Sequence, residues 1–128
     1  MAYKRDESLV HKKSYAFAIR VVNMVKYLRE NAEEFILSKQ VLRSGTAIGA
    51  LIRESEFAQS SADFANKLSV ALKEANETEY WLNILKDTGY IEEEAFDSML
   101  TDCGEITALL VSSIKTIKKK IEEQKSRE

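Results

Sequence analysis

RSGTAIGALIRES, residues 43–55, decides how this chain is read. Ile48, Leu51 and Ile52 share one stripe of a helix, yet Gly45 and Gly49 lie inside it. An interior glycine costs a helix about 1 kcal/mol relative to alanine, so a helical reading demands an offset. Residues four apart share a helix face, and small residues on one face let a second helix backbone approach closely. That packing supplies the offset. The neighbour is either another helix of the same chain or a helix of another subunit, and the spacing alone does not choose.

Outward from this stretch the same rhythm recurs. There is no proline, there are four glycines, and no alternating β-branched run is bounded by turn dipeptides. The chain therefore reads as all-α. A first helix is expected from about Ser8 to Asn31, with Phe17, Val21, Met24 and Leu28 as its stripe. A second begins between Glu33 and Ser38, with Ser38 as a candidate N-cap, and carries Leu37, Val41, Ser44, Ile48, Leu51 and Ser55. Ser60 and Asp63 have capping-box spacing before a third apolar run, Phe64, Leu68, Ala71, Ala75, Thr78, Leu82 and Leu85. Gly89 suits the residue that ends that helix, with Tyr90 and Ile91 packing back.

A fourth helix opens on Glu92, Glu93 and Glu94, which suit the positive end of a helix dipole. Phe96, Leu100, Cys103, Thr107, Leu110, Ile114, Ile117 and Ile121 then predict a coiled-coil-like seam. Four helices with short connections predict one domain over residues 1–128, an antiparallel up-down-up-down four-helix bundle. Residues 1–7 and 123–128 are expected to fray.

Composition narrows the function classes. The chain is 45% hydrophobic and 31% charged, with a formal net charge of -2, so no global field draws it to nucleic acid or membrane. No apolar run reaches the roughly 18 residues of a membrane span, and MAYKRDESLV has no apolar core of a signal peptide. A cytoplasmic protein is the expectation. Cys103 is the single cysteine and His11 the single histidine, so a disulfide or thiolate metal cluster lacks its ligands. The Glu-x-x-His pairs of di-iron bundles are absent, and SGTAIG lacks the lysine and preceding strand of a phosphate loop. Catalysis, metal and cofactor are not expected. Cys103, on the apolar seam, reads as a core thiol rather than a nucleophile.

Charge placement says more than the total. In an antiparallel bundle the first helix starts where the fourth ends. That pole gathers Lys4, Arg5, His11, Lys12, Lys13, Lys115, Lys118, Lys119 and Lys120. The opposite pole holds Glu30, Glu33, Glu34, Asp87, Glu92, Glu93, Glu94 and Asp97. The basic pole reads either as a solvated helix end or as a phosphate-contacting patch. In KEANETEYWL, residues 73–82, Trp81 is either an anchor on a polar face or a partner hot spot.

QVLRSGTAIGALIRES together with SADFANKLSVALKEANETEYWLNIL resembles the bacterial four-helix bundle proteins related to those encoded by intervening sequences in large-subunit ribosomal RNA genes. The likeness runs from YAFAIRVVNMVKYL to Ile121. Arg43, Ser44, Gly45, Ile48, Gly49 and Ala50 match its second-helix pattern, and Phe64, Leu68, Lys73, Glu74, Glu77 and Trp81 its third. Leu51 departs, standing where asparagine is common. The resemblance implies a cyclic homo-oligomer, typically a pentamer, with no known enzyme among its members. A related branch, the accessory protein of diversity-generating retroelements, is strongly basic and binds nucleic acid and a reverse transcriptase. With a pI near 5.6, this chain does not inherit that reverse-transcriptase partnership.

The function expected is a non-enzymatic homo-oligomer, a pentamer by resemblance, that binds RNA or DNA through Lys12, Lys13, Lys115, Lys118, Lys119, Lys120, Arg43 and Arg53. Gly45, Gly49 and Trp81 are the candidates for helix packing or the oligomer interface. The alternative is a protein-assembly scaffold with no nucleic-acid binding. Salt separates the two, because phosphate contacts release counterions.

Overall fold

The computed structural model describes residues 8–128. Four α-helices follow in order: α1 (Leu9–Ala32), α2 (Ile36–Ser55), α3 (Ser61–Asp87) and α4 (Glu93–Ser126). Connections of three to five residues force each helix to run against the one before it. α1 packs on α2, α2 on α3, α3 on α4 and α4 back on α1, while among the described residues the diagonal pairs bring no backbones into close approach. One face of each helix is buried, by Phe17, Val21 and Leu28 from α1, Val41, Ile48 and Ile52 from α2, Leu68, Leu82 and Leu85 from α3, and Cys103, Ile106 and Leu110 from α4. The bundle expected from the sequence is the fold observed.

The two glycines are explained inside the chain. A Cβ on Gly45 would lie 2.8 and 2.9 Å from the two γ-carbons of Val21, and one on Gly49 would lie 3.3 Å from the Ser14 carbonyl oxygen. Their stripe is where α1 presses close on α2. Leu51 lies half-buried against the core.

Two helix ends form as expected. The Ser60 hydroxyl accepts from the Asp63 N–H at 3.0 Å, and the Asp63 carboxylate accepts from the Gln59 N–H at 3.1 Å. Gly89, at φ +82°, closes α3 with a Schellman pair: its N–H donates to Lys86 and that of Tyr90 to Leu85. Lys86 Nζ then sits 4.3 Å over the ring of Phe96, tying the end of α3 to the start of α4.

Three expectations are corrected. Ser38 does not cap α2: it lies inside the helix, buried, and its N–H donates at 2.7 Å to the carboxylate of Glu34, which also accepts from Ile36. Glutamate thus supplies the cap that serine was expected to supply, because Glu33 takes a left-handed conformation (φ 51°) and turns the chain two residues earlier. On α4 the buried stripe is Phe96, Met99, Cys103, Ile106, Leu110 and Ile114, so Met99 and Ile106 replace Leu100 and Thr107. Both patterns keep three-four spacing and share Phe96, Cys103 and Leu110; they differ in which side of that line meets the core, Met99 and Ile106 lying about 50° to one side and Leu100 and Thr107 about 50° to the other. Residues 123–126, expected to fray, continue α4, whose 34 residues make it the longest helix. Residues 1–7, for which fraying was the expectation, lie outside the described residues, and Lys4 and Arg5 of the basic pole with them.

Candidate nucleic-acid interface

The structure divides the expected cations into engaged and free groups. Arg43, on α2, forks onto α3: Nη1 donates to Glu74 at 3.2 Å and Nη2 to Glu77. The Glu77 carboxylate also accepts from Trp81 Nε1 at 3.2 Å. The guanidinium first, and the indole N–H second, hold the Glu77 carboxyl below the usual range. Hydrogen bonding to Glu77 in turn raises the Arg43 pKa. Trp81 is half-buried and meets the ring of Tyr80 edge-on at 5.0 Å. Arg43 and Trp81 therefore belong to one α2–α3 brace.

Lys13 reaches from α1 to Glu105 on α4, and this hydrogen bond raises its pKa. Arg20, two turns on, bonds Asp102 and Ser98 of α4. His11 is held by the fold rather than offered to a ligand. Its Nδ1 lies 2.7 Å from the Ser8 hydroxyl and its Nε2 3.1 Å from Glu56.

The remaining cations lie differently. Arg53 is exposed beside a crevice of about 270 Å³ lined by His11, Tyr15, Ala18 and Gly49. Lys12 is exposed on α1. Lys115, Lys118, Lys119 and Lys120 are exposed on α4, and among the described residues no carboxylate lies within ion-pair distance of them. At about 100° per residue, Lys115 and Lys119 lie away from the core, while Lys118 and Lys120 flank the Ile117–Ile121 edge. Free amines on one exposed helix end can track a phosphate backbone. Sequence reasoning grouped these lysines by charge but had no signal that Lys13 and Arg43 would be engaged, because their partners are 92 and 34 residues away.

The other chemistry-bearing residue is closed off. Cys103 is 0% exposed, its thiol donates to the Ala75 carbonyl at 3.5 Å, and burial pushes its pKa up to about 12. No cluster of three or more His, Cys, Asp or Glu able to hold a metal occurs among the described residues. No helix among them is long and apolar enough to cross a membrane.

Among solved structures, the chain is similar to a protein of unknown function from the S23 ribosomal protein family of Bacteroides thetaiotaomicron. The two share 58% identity with a TM-score of 0.83, over 84% of this chain and 99% of that one. No curated protein matches the chain. The model of the 23S rRNA-intervening sequence proteins matches residues 6–112, which leaves Lys115 to Lys120 beyond its end. With the four-helix fold, the glycine-spaced α2 and this match over most of its length, the chain belongs to the 23S rRNA-intervening sequence protein family.

Proposed function

We propose that this chain is a cytoplasmic, non-catalytic homo-oligomer, a pentamer as the resemblance implies, that binds RNA through the lysine-bearing end of α4. The observation that carries the reading is the contrast among its cations. Lys13, Arg20 and Arg43 are bound to carboxylates of neighbouring helices, whereas Lys115, Lys118, Lys119 and Lys120 stand exposed and free of such partners. Several copies held together multiply weak phosphate contacts without any new contact per copy.

Anisotropy with single-stranded RNA and duplex DNA at 50, 100 and 200 mM salt tests it, with native mass taken on the same sample. Four phosphate contacts predict a loss of roughly 50- to 150-fold in affinity between 50 and 200 mM salt. The Lys115→Glu/Lys119→Glu variant removes binding while keeping helicity. An oligomer that binds nothing at 50 mM salt overturns the nucleic-acid reading in favour of a protein-assembly scaffold. Exposed Tyr15, Ile19 and Tyr27 on the outer side of α1 favour that second reading.

A further inference from the structure

We infer that the crevice between α1 and α2 takes a single unpaired base of an RNA strand, with the neighbouring phosphate on Arg53. The inference rests on the RNA reading above and deepens it, since it names an unstacked nucleotide as the recognised group. The crevice, about 270 Å³, is a gap left by small side chains. Ala18 of α1 and Gly49 and Ala50 of α2 line it, and a Cβ on Gly49 would come within 3.3 Å of the Ser14 carbonyl oxygen. Tyr15 stands on the α1 side and Arg53 on the α2 side. Its size lies just under the roughly 300–1,000 Å³ of drug-sized ligand pockets, which suits one flat ring.

Both of the larger residues are uncommitted. Tyr15 is 61% exposed and, among the described residues, makes no ring contact or hydrogen bond. Arg20 and Arg43 are bound to carboxylates and Arg29 donates to Ser38, whereas Arg53 has no such partner among the described residues. The carboxylates nearest it in sequence are turned elsewhere: Glu54 lies 3.8 Å from Lys67 of α3, and Glu56 3.1 Å from His11. An aromatic face and a free guanidinium across one gap match the two halves of a nucleotide, base and phosphate. The Thr46 hydroxyl gives its proton to the Leu42 carbonyl at 2.7 Å, so toward a ligand it accepts, which suits a base edge that carries an amino group. A duplex hides its base faces, so the crevice serves an unpaired strand. Lys12, exposed and three residues before Tyr15, carries the backbone over α1 at the pole where α4 ends. The crevice and the phosphate-binding lysines thus lie at one end of the bundle.

Anisotropy with a short oligoadenylate, and with an abasic strand of the same length and charge, tests this, with circular dichroism and native mass on every sample. The parent is expected to bind the oligoadenylate roughly tenfold more tightly than the abasic strand. Tyr15→Ala and Ala50→Leu, both at exposed positions, abolish that preference and leave the salt dependence as it was. The first removes the stacking face and the second fills the gap. Tyr15→Phe keeps the preference. Arg53→Gln weakens binding of both strands and lowers the salt slope by about one. A parent that binds neither strand overturns the RNA reading, and this inference with it. Equal binding of the two strands by the parent overturns the crevice alone. An altered native mass in Tyr15→Ala or Ala50→Leu also overturns it, because the crevice then belongs to a contact between protein chains. Free AMP that abolishes the preference at the concentration at which the oligoadenylate binds overturns the strand as the source of the base, in favour of a mononucleotide.

Discussion

Gly45→Ala examines the close approach of α1 to α2. The new methyl would stand 2.8 Å from Val21 Cγ2 and 2.9 Å from Cγ1, against an ordinary carbon separation of about 3.5–4.0 Å. Rotation cannot clear both branches, and Val21 is 0% exposed, with a stiff χ1 and packed neighbours behind it. Overpacking of this kind costs about 1–3 kcal/mol, set against a gain of about 1 kcal/mol in helix propensity. The expected net is a destabilisation of ~0–2 kcal/mol. Val21→Ala alone loses roughly 1.5–3 kcal/mol of buried apolar contact. In that background the space for the Gly45→Ala methyl is vacant, so the substitution stabilises by about 1 kcal/mol. Urea unfolding of the four proteins at one protein concentration therefore gives a coupling of about 1–3 kcal/mol. Additivity within about 0.5 kcal/mol, or a Gly45→Ala protein more stable than its parent, refutes the close-packing account of the glycine stripe.

The same reasoning makes Gly49→Ala milder, because its methyl meets one carbonyl oxygen at 3.3 Å and needs only a few tenths of an ångström; thermal unfolding checks that it melts above Gly45→Ala. Gly89→Ala meets no atom within 4 Å, so the cost is the backbone's left-handed conformation alone, about 1–2 kcal/mol by urea unfolding. Glu77 has its carboxyl lowered by Arg43, so its contribution is present above the ordinary carboxylate range and is lost as pH falls through the lowered value. Unfolding between pH 6 and 3 should thus show a steeper loss in the parent than in Glu77→Gln; equal slopes refute the brace. Cys103, buried with its thiol pushed up to about 12, should label with a thiol reagent only as fast as the bundle opens. Rapid labelling of the folded protein refutes that burial.

Much of the fold was legible because its signals are local. The Ser60–Asp63 cap and the Gly89 stop are readable within four residues, and both formed. The α1–α2 turn was not, since its left-handed residue is Glu33 and its capping group is Glu34, neither of which has a strong preference for that role. The α4 stripe was misplaced by one position at two points, because Phe96, Cys103 and Leu110 fit a three-four pattern on either side of their line and Leu100 is as apolar a choice as Met99. For the candidate interface, the lysine cluster was visible in the chain, while the cations that tertiary partners remove from it were not. Whether the glycines served the bundle or a second subunit was undecided until Val21 and Ser14 stood against them.

The hydroxyls of Thr78 and Ser44 hydrogen-bond at 2.9 Å inside the buried α2–α3 layer, and Arg43 meets Glu74 and Glu77 on its rim. Since the inner and outer pairs use adjoining residues, one alignment satisfies both. Sliding α3 by one turn, about 5.4 Å, takes Thr78, which keeps its bond to the Glu74 carbonyl, away from the buried Ser44 hydroxyl and opens the charged fork together. The hydroxyls act as a detent: apolar side chains alone tolerate many alignments, whereas this pair admits one. The pattern of charge that a partner meets along this side of the molecule is thereby dictated from within.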